Sequence, residues 1–93
     1  MKTNIKIAEL VKSYRLKNSM TQLQVAKQLG YDSMQFVSLF ERGVSKVPVE
    51  TLGKLSVILG IPEAKITNLL VTQFKLDYYK KFDAGKEALK GKV

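Results

Sequence analysis

Residues 21–43 read TQLQVAKQLGYDSMQFVSLFERG, and this stretch decides the fold. Thr21 offers a side-chain oxygen to cap a helix over Gln22–Leu29, whose apolar residues Val25, Ala26 and Leu29 share one face. Gly30 stands where a helix commonly ends in a left-handed residue. Tyr31-Asp32-Ser33 is a short connection, and Asp32 or Ser33 can cap a second helix over Met34–Arg42 that Gly43 stops. The unit is therefore two short helices joined by a tight, glycine-containing turn.

The same helical period extends to both sides. Ahead of the unit, Ile7, Leu10, Val11 and Tyr14 recur at three- and four-residue steps, which predicts an amphipathic helix over Ile5–Leu16 interrupted by Asn18-Ser19. Behind it, Val44–Pro48 reads as a loop. A fourth helix opens near Pro48 or Val49, buries Leu52, Leu55, Ile58 and Leu59, and ends at Gly60. A fifth opens at Pro62 and presents Ile66, Leu69 and Leu70. The few β-branched clusters fall inside helical periods, so the expected class is all-α, with five short helices over about Ile5–Val71.

Composition narrows the function. The chain has 93 residues, 16 Lys and Arg against 8 Asp and Glu, no histidine and no cysteine. The usual neutral-pH base, the thiolate nucleophile and the commonest metal ligands are all missing, so neither an enzyme nor a metal or cofactor site is expected. A formal net charge of +8 on so small a chain favours an anionic partner. No apolar run approaches the length of a membrane span and Met1–Leu10 lacks the apolar block of a signal peptide, so a cytoplasmic protein is expected.

Two helices and a tight turn become informative through the surface of the second. In a helix-turn-helix, the second helix lies in the major groove and its outward side chains meet base edges. Turning about 100° per residue, Phe36, Val37 and Phe40 fall on the side expected to be buried. Gln35, Ser38, Leu39 and Arg42 fall roughly opposite, with Met34 on the first turn between the two sets. Gln can bond bidentately to adenine, Ser can donate or accept, and Leu or Met can pack on a thymine methyl. Arg42 suits a phosphate or a guanine.

Thr21-Gln22, Ala26, Gly30 and Glu41-Arg42-Gly43 resemble, in order, the motif of the Cro/C1-type (XRE-like) helix-turn-helix regulators, which include phage repressors and many antitoxins. Arg15 and Pro48 also fall where that family often has those residues. The resemblance covers about Ile7–Leu70 and implies a five-helix, lambda-repressor-like DNA-binding domain. It further implies Met34, Gln35, Ser38 and Leu39 as base readers, and Thr21, Gln22, Ser33, Arg42 and Lys46 as phosphate contacts. Arg15 and Glu41 correspond to a partly buried structural ion pair. The Gly30-to-Gly43 interval is one residue longer than in many phage repressors, which places Phe36 at the core edge and off the bases.

Between Pro62 and Gly85 there is neither Pro nor Gly. Ile66, Leu70, Phe74, Tyr78 and Phe82 recur every four residues, so either the fifth helix extends or a sixth starts near Phe74. The expected organisation is a DNA-binding domain over 1–72 and a C-terminal helical extension over 73–93, frayed beyond Asp83. The extension either caps the domain's own core or makes a homodimer interface through Phe74, Tyr78, Tyr79 and Phe82. The expected function is binding of double-stranded DNA to repress transcription from a palindromic operator as a dimer. The alternative is an antitoxin that binds a cognate toxin and autoregulates through the same helices.

Overall fold

The computed structural model describes residues 3–91; residues 1–2 and 92–93, the outer ends of the two expected segments, lie outside them. Five helices follow in order: α1 (Thr3–Lys17), α2 (Gln22–Gln28), α3 (Gln35–Glu41), α4 (Val49–Leu59) and α5 (Glu63–Lys90). Among the described residues there is no strand. The all-helical class expected from the sequence is what the chain adopts.

Packing follows the apolar stripes. α1 lies against α3, α4 and α5, while α2 packs on α3. Val11 of α1, Val25 of α2, Val37 of α3 and Leu55 and Leu59 of α4 meet with essentially no exposure. Ile61 and Ile66 close the core from the start of the last helix. Replacing one of these large side chains by Ala typically costs 2–5 kcal/mol through lost burial and the cavity left behind, about what a marginally stable small domain can least spare.

One C-terminal device ends each of the first three helices. At the end of α2, Gly30 donates to the Lys27 carbonyl and Tyr31 to that of Ala26, with Gly30 at φ 89°. At the end of α3, Gly43 donates to the Phe40 carbonyl and Val44 to that of Leu39, with Gly43 at φ 69°. These paired bonds satisfy otherwise orphaned carbonyls and reverse the chain in two residues, which keeps the turn between α2 and α3 tight. α1 uses the same bonds with Ser19 in the left-handed position, at φ 54°. Beside it, the Asn18 amide donates to the carbonyls of Tyr14 and Leu59, tying the end of α1 to the end of α4.

One open alternative is decided, and two expectations change. Of the two alternatives for the fifth helix, extension holds: it runs unbroken for 28 residues, with no Pro to interrupt its i,i+4 bonds. The chain beyond Asp83, expected to fray, is helical through Gly85 to Lys90. Phe36 is not on the buried face: it is 51% exposed. α3 has seven residues and buries Val37 and Phe40 alone. Phe36 sits about 70° from the centre of that narrow face, at its edge. Its ring packs instead on Tyr31, with centroids 4.8 Å apart.

Candidate nucleic-acid interface

The geometry of the site starts from how α2 and α3 are held. Thr21 caps α2 as expected, its hydroxyl oxygen accepting from the Gln24 amide nitrogen at 3.1 Å. Gln24, which the sequence reading passed over, returns the bond: its side-chain oxygen accepts from Thr21 N at 2.8 Å. This reciprocal capping box is worth about 1 kcal/mol and fixes where α2 begins. The Thr21 hydroxyl accepts in this bond and keeps its own hydrogen to donate.

α3 begins differently. Met34 occupies the N-cap without a side-chain bond to the helix. Ser33, one residue earlier, accepts from Gln35 N at a long 3.4 Å. Of the two caps expected, Ser33 therefore makes the nearer approach, and weakly.

The far end of α3 is anchored by a buried charge pair. Arg15 Nε and Nη2 donate to the two oxygens of Glu41 at 2.6 and 2.9 Å, and Nη1 donates to the Met20 carbonyl at 2.9 Å. The two side chains are 10% and 3% exposed. Hydrogen bonding to Glu41 holds the Arg15 guanidinium above its ordinary value, outweighing the opposing effect of burial. The planar fork matches a carboxylate bidentately, which a lysine could not reproduce. The pair thus pins α1 to the last turn of α3.

Gln22 joins this cluster. Its side-chain nitrogen donates to Glu41 Oε1 at 3.1 Å, so the start of α2 is drawn to the end of α3 beside Arg42. One amide hydrogen is used in this way and the second remains for an external acceptor. The sequence contained no local signal for this bond, because Gln22 and Glu41 are 19 residues apart.

The outward face of α3 carries the expected readers in two grades. Met34, Gln35 and Arg42 are exposed, whereas Ser38 and Leu39 are half-buried. Arg42 Nε leans back toward the Ser38 carbonyl at 3.4 Å, too long to hold it. Thr21, Ser33 and Lys46 are exposed as well, Lys46 in the loop that follows α3. Glu41, the carboxylate of α3, is turned inward and neutralised by Arg15. What α3 presents outward is therefore amide, hydroxyl, guanidinium and apolar surface, chemistry suited to base edges and phosphates and free of a repelling charge.

The helix-turn-helix family matches residues 11–66, from the middle of α1 to the first turn of α5. The chain belongs to the Cro/C1-type helix-turn-helix family. Its members are DNA-binding regulators, and the α2–turn–α3 unit is the DNA-binding element here. No curated protein and no solved structure matches the chain. The match to the family ends before Phe74, Tyr78, Tyr79 and Phe82. Those four residues are exposed on the part of α5 that projects from the domain. Among the described residues, no helix is long and apolar enough to cross a membrane.

Proposed function

We propose that the protein is a repressor that occupies a palindromic operator as a dimer, inserting one α3 per half-site into the major groove. The observation that carries this reading is the outward face of α3. Gln35 and Arg42 are exposed there while Glu41 is folded inward onto Arg15. Gln35 is the principal base reader, with Met34, Ser38 and Leu39 beside it supplying hydroxyl and apolar contacts. Thr21, Gln22, Ser33, Arg42 and Lys46 hold phosphates and set the register of the protein on the duplex. Repression follows from occupancy, since a protein seated across a promoter excludes the polymerase.

The same α3 serves an antitoxin that represses its own promoter. The observation favouring a protein partner is the projecting half of α5, whose aromatic residues nothing in the domain covers.

Selection of binding sites from random duplex DNA tests the proposal. A two-fold symmetric site with half-sites about one helical turn apart is expected. Repeating the selection with Gln35→Ala should relax preference at one base position per half-site, a loss of about 1–3 kcal/mol of discrimination there. Uniform weakening of every site would make Gln35 a positioning residue. An asymmetric site would remove the dimeric operator.

A further inference from the structure

From Phe74 to Gly91 every residue of the described chain is exposed. At about 1.5 Å per residue, α5 is about 42 Å long, and its outer part stands clear of the domain. The molecule measures 59 × 24 × 20 Å, with a radius of gyration of 17.0 Å. A compact chain of this length would have a radius of gyration of about 12 Å. A solvated helix of this size is marginal on its own in water, and Gly85 weakens it by about 1 kcal/mol relative to Ala.

The projecting part carries a seam. Thr67, Val71, Phe74, Tyr78, Phe82, Gly85 and Leu89 fall within about 40° of one line along the helix. The rings confirm the alignment: Phe74 and Tyr78 stack with centroids 6.4 Å apart, and Tyr78 and Phe82 at 5.5 Å. Seven positions at steps of three and four make a narrow stripe, the width that another helix covers rather than the broad face that lies on a bilayer. The seam is continuous with a groove of about 310 Å³ between α4 and α5, lined by Leu52, Gly53, Thr67 and Leu70 among others.

Charge selects the occupant. The side chains flanking the seam are Lys75 and Lys86 on one side and Lys81 on the other, about 60–80° from its centre. Lys86 leans over the Phe82 ring, its nitrogen 5.7 Å from the centroid. Of the carboxylates of this segment, Asp83 and Glu87 lie on the far side, Glu87 pairing with Lys90 at 3.5 Å, while Asp77, about 100° from the centre beyond Lys81, is engaged by the Gln73 amide at 2.9 Å. With three lysines against the single carboxylate of Asp77, the flanks are net basic, and two copies of the seam packed together would bring like net charge together. Like charges in these positions disfavour self-pairing, and acidic flanks on the partner favour heterologous pairing.

We infer that the α5 seam docks an acidic amphipathic helix of another protein: apolar residues along one stripe, Glu or Asp beside it. The pairing orders α5 and couples the DNA-binding head to that partner. This assignment does not rest on the operator reading, and it moves Phe74, Tyr78 and Phe82 from a contact between copies to a contact with a different chain.

Full-length protein is titrated into a labelled heptad peptide with Leu at a and d and Glu at e and g, and into the same peptide with Lys at e and g. The acidic peptide should bind at least about tenfold more tightly. Its binding should raise the helical circular dichroism beyond the sum of the parts. Joint Lys75→Glu, Lys81→Glu and Lys86→Glu should reverse the preference, and joint Phe74→Ser and Phe82→Ser should remove both. In the Ser variants operator affinity should stay within about twofold, because α3 and the net charge are untouched. Equal binding of the two peptides would overturn the inference, as would preferential binding to phosphatidylglycerol vesicles. A concentration-dependent dimer in sedimentation, lost together with operator affinity in the Ser variants, would give the seam to a second copy. Loss of the symmetric operator with peptide discrimination intact would sink the operator reading and leave this one standing.

Discussion

The α2–turn–α3 unit and the outer half of α5 are both helical, yet they are helical for different reasons. In the first, seven-residue helices too short to persist alone are held by burial of Val25, Ala26, Val37 and Phe40 and by the Arg15–Glu41–Gln22 cluster. In the second, a long helix leans only on its own neighbours, as in the stacked Phe74, Tyr78 and Phe82. The first is a rigid head whose side chains are aimed before DNA arrives. The second is a surface that nothing in the domain covers. Tertiary contact, not local helix preference, separates the proposed reading element from the proposed docking element.

The contrast breaks or sharpens with three measurements. The largest effect is expected for Glu41→Ala, which leaves the Arg15 guanidinium buried and unpaired and frees the Gln22 amide. Urea unfolding should show a loss of about 3–5 kcal/mol, whereas Tyr78→Ser on the projecting helix should fall within about 0.5 kcal/mol of the parent. Similar losses for the two would mean that α5 is as deeply tied to the fold as α3.

A smaller gain is expected where α1 ends. Ser19 holds a left-handed conformation that Gly30, Gly43 and Gly60 occupy elsewhere. Ser19→Gly removes the strain of a side chain there but adds freedom to the unfolded chain, for a net gain of about 0.5–1 kcal/mol in the thermal midpoint analysis. A loss would show that the Ser19 side chain holds the α1 end in a way its backbone bonds do not reveal.

The smallest effect lies at the junction of head and extension. Lys65, near the start of α5, donates to the Tyr14 hydroxyl at 2.9 Å. This bond holds the Tyr14 phenol below its ordinary value of 10.0, against a lesser opposing contribution from burial and with further help from the charges of Lys65 and Lys17. The ionised form is favoured by the fold. The contact therefore adds stability that is present above the ordinary tyrosine value and is lost as pH falls through the lowered one. Ultraviolet titration should show one tyrosine ionising early, and Lys65→Met should return it to the ordinary range. An unchanged titration in that variant would detach Lys65 from Tyr14 in solution.

Much of the head was legible in the sequence. Thr21 and the glycines at 30, 43 and 60 mark helix ends through bonds to residues three to five positions away, so adjacent letters encode them. Val25, Val37, Leu52, Leu55 and Leu59 were legible as core by their spacing. The Arg15–Glu41 pair was legible only through family resemblance, and the structure shows it. The roles of Met34, Gln35, Ser38 and Leu39 on bases, and of Thr21, Gln22, Ser33, Arg42 and Lys46 on phosphates, were proposed from the same resemblance. What the structure adds to them is exposure, half-burial at Ser38 and Leu39, and the tether on Gln22.

The sequence by itself determined that this protein is helical, where most of its helices begin and end, and that its second and third form the helix-turn-helix. Those features rest on interactions within a turn or two of chain. Only the tertiary structure decided that Gln22 reaches Glu41, that Phe36 leaves the core for Tyr31, and that α5 outruns the domain with its aromatic seam uncovered. Each of these depends on which surfaces of distant segments meet, and a helical period states which face is apolar without stating what will lie against it.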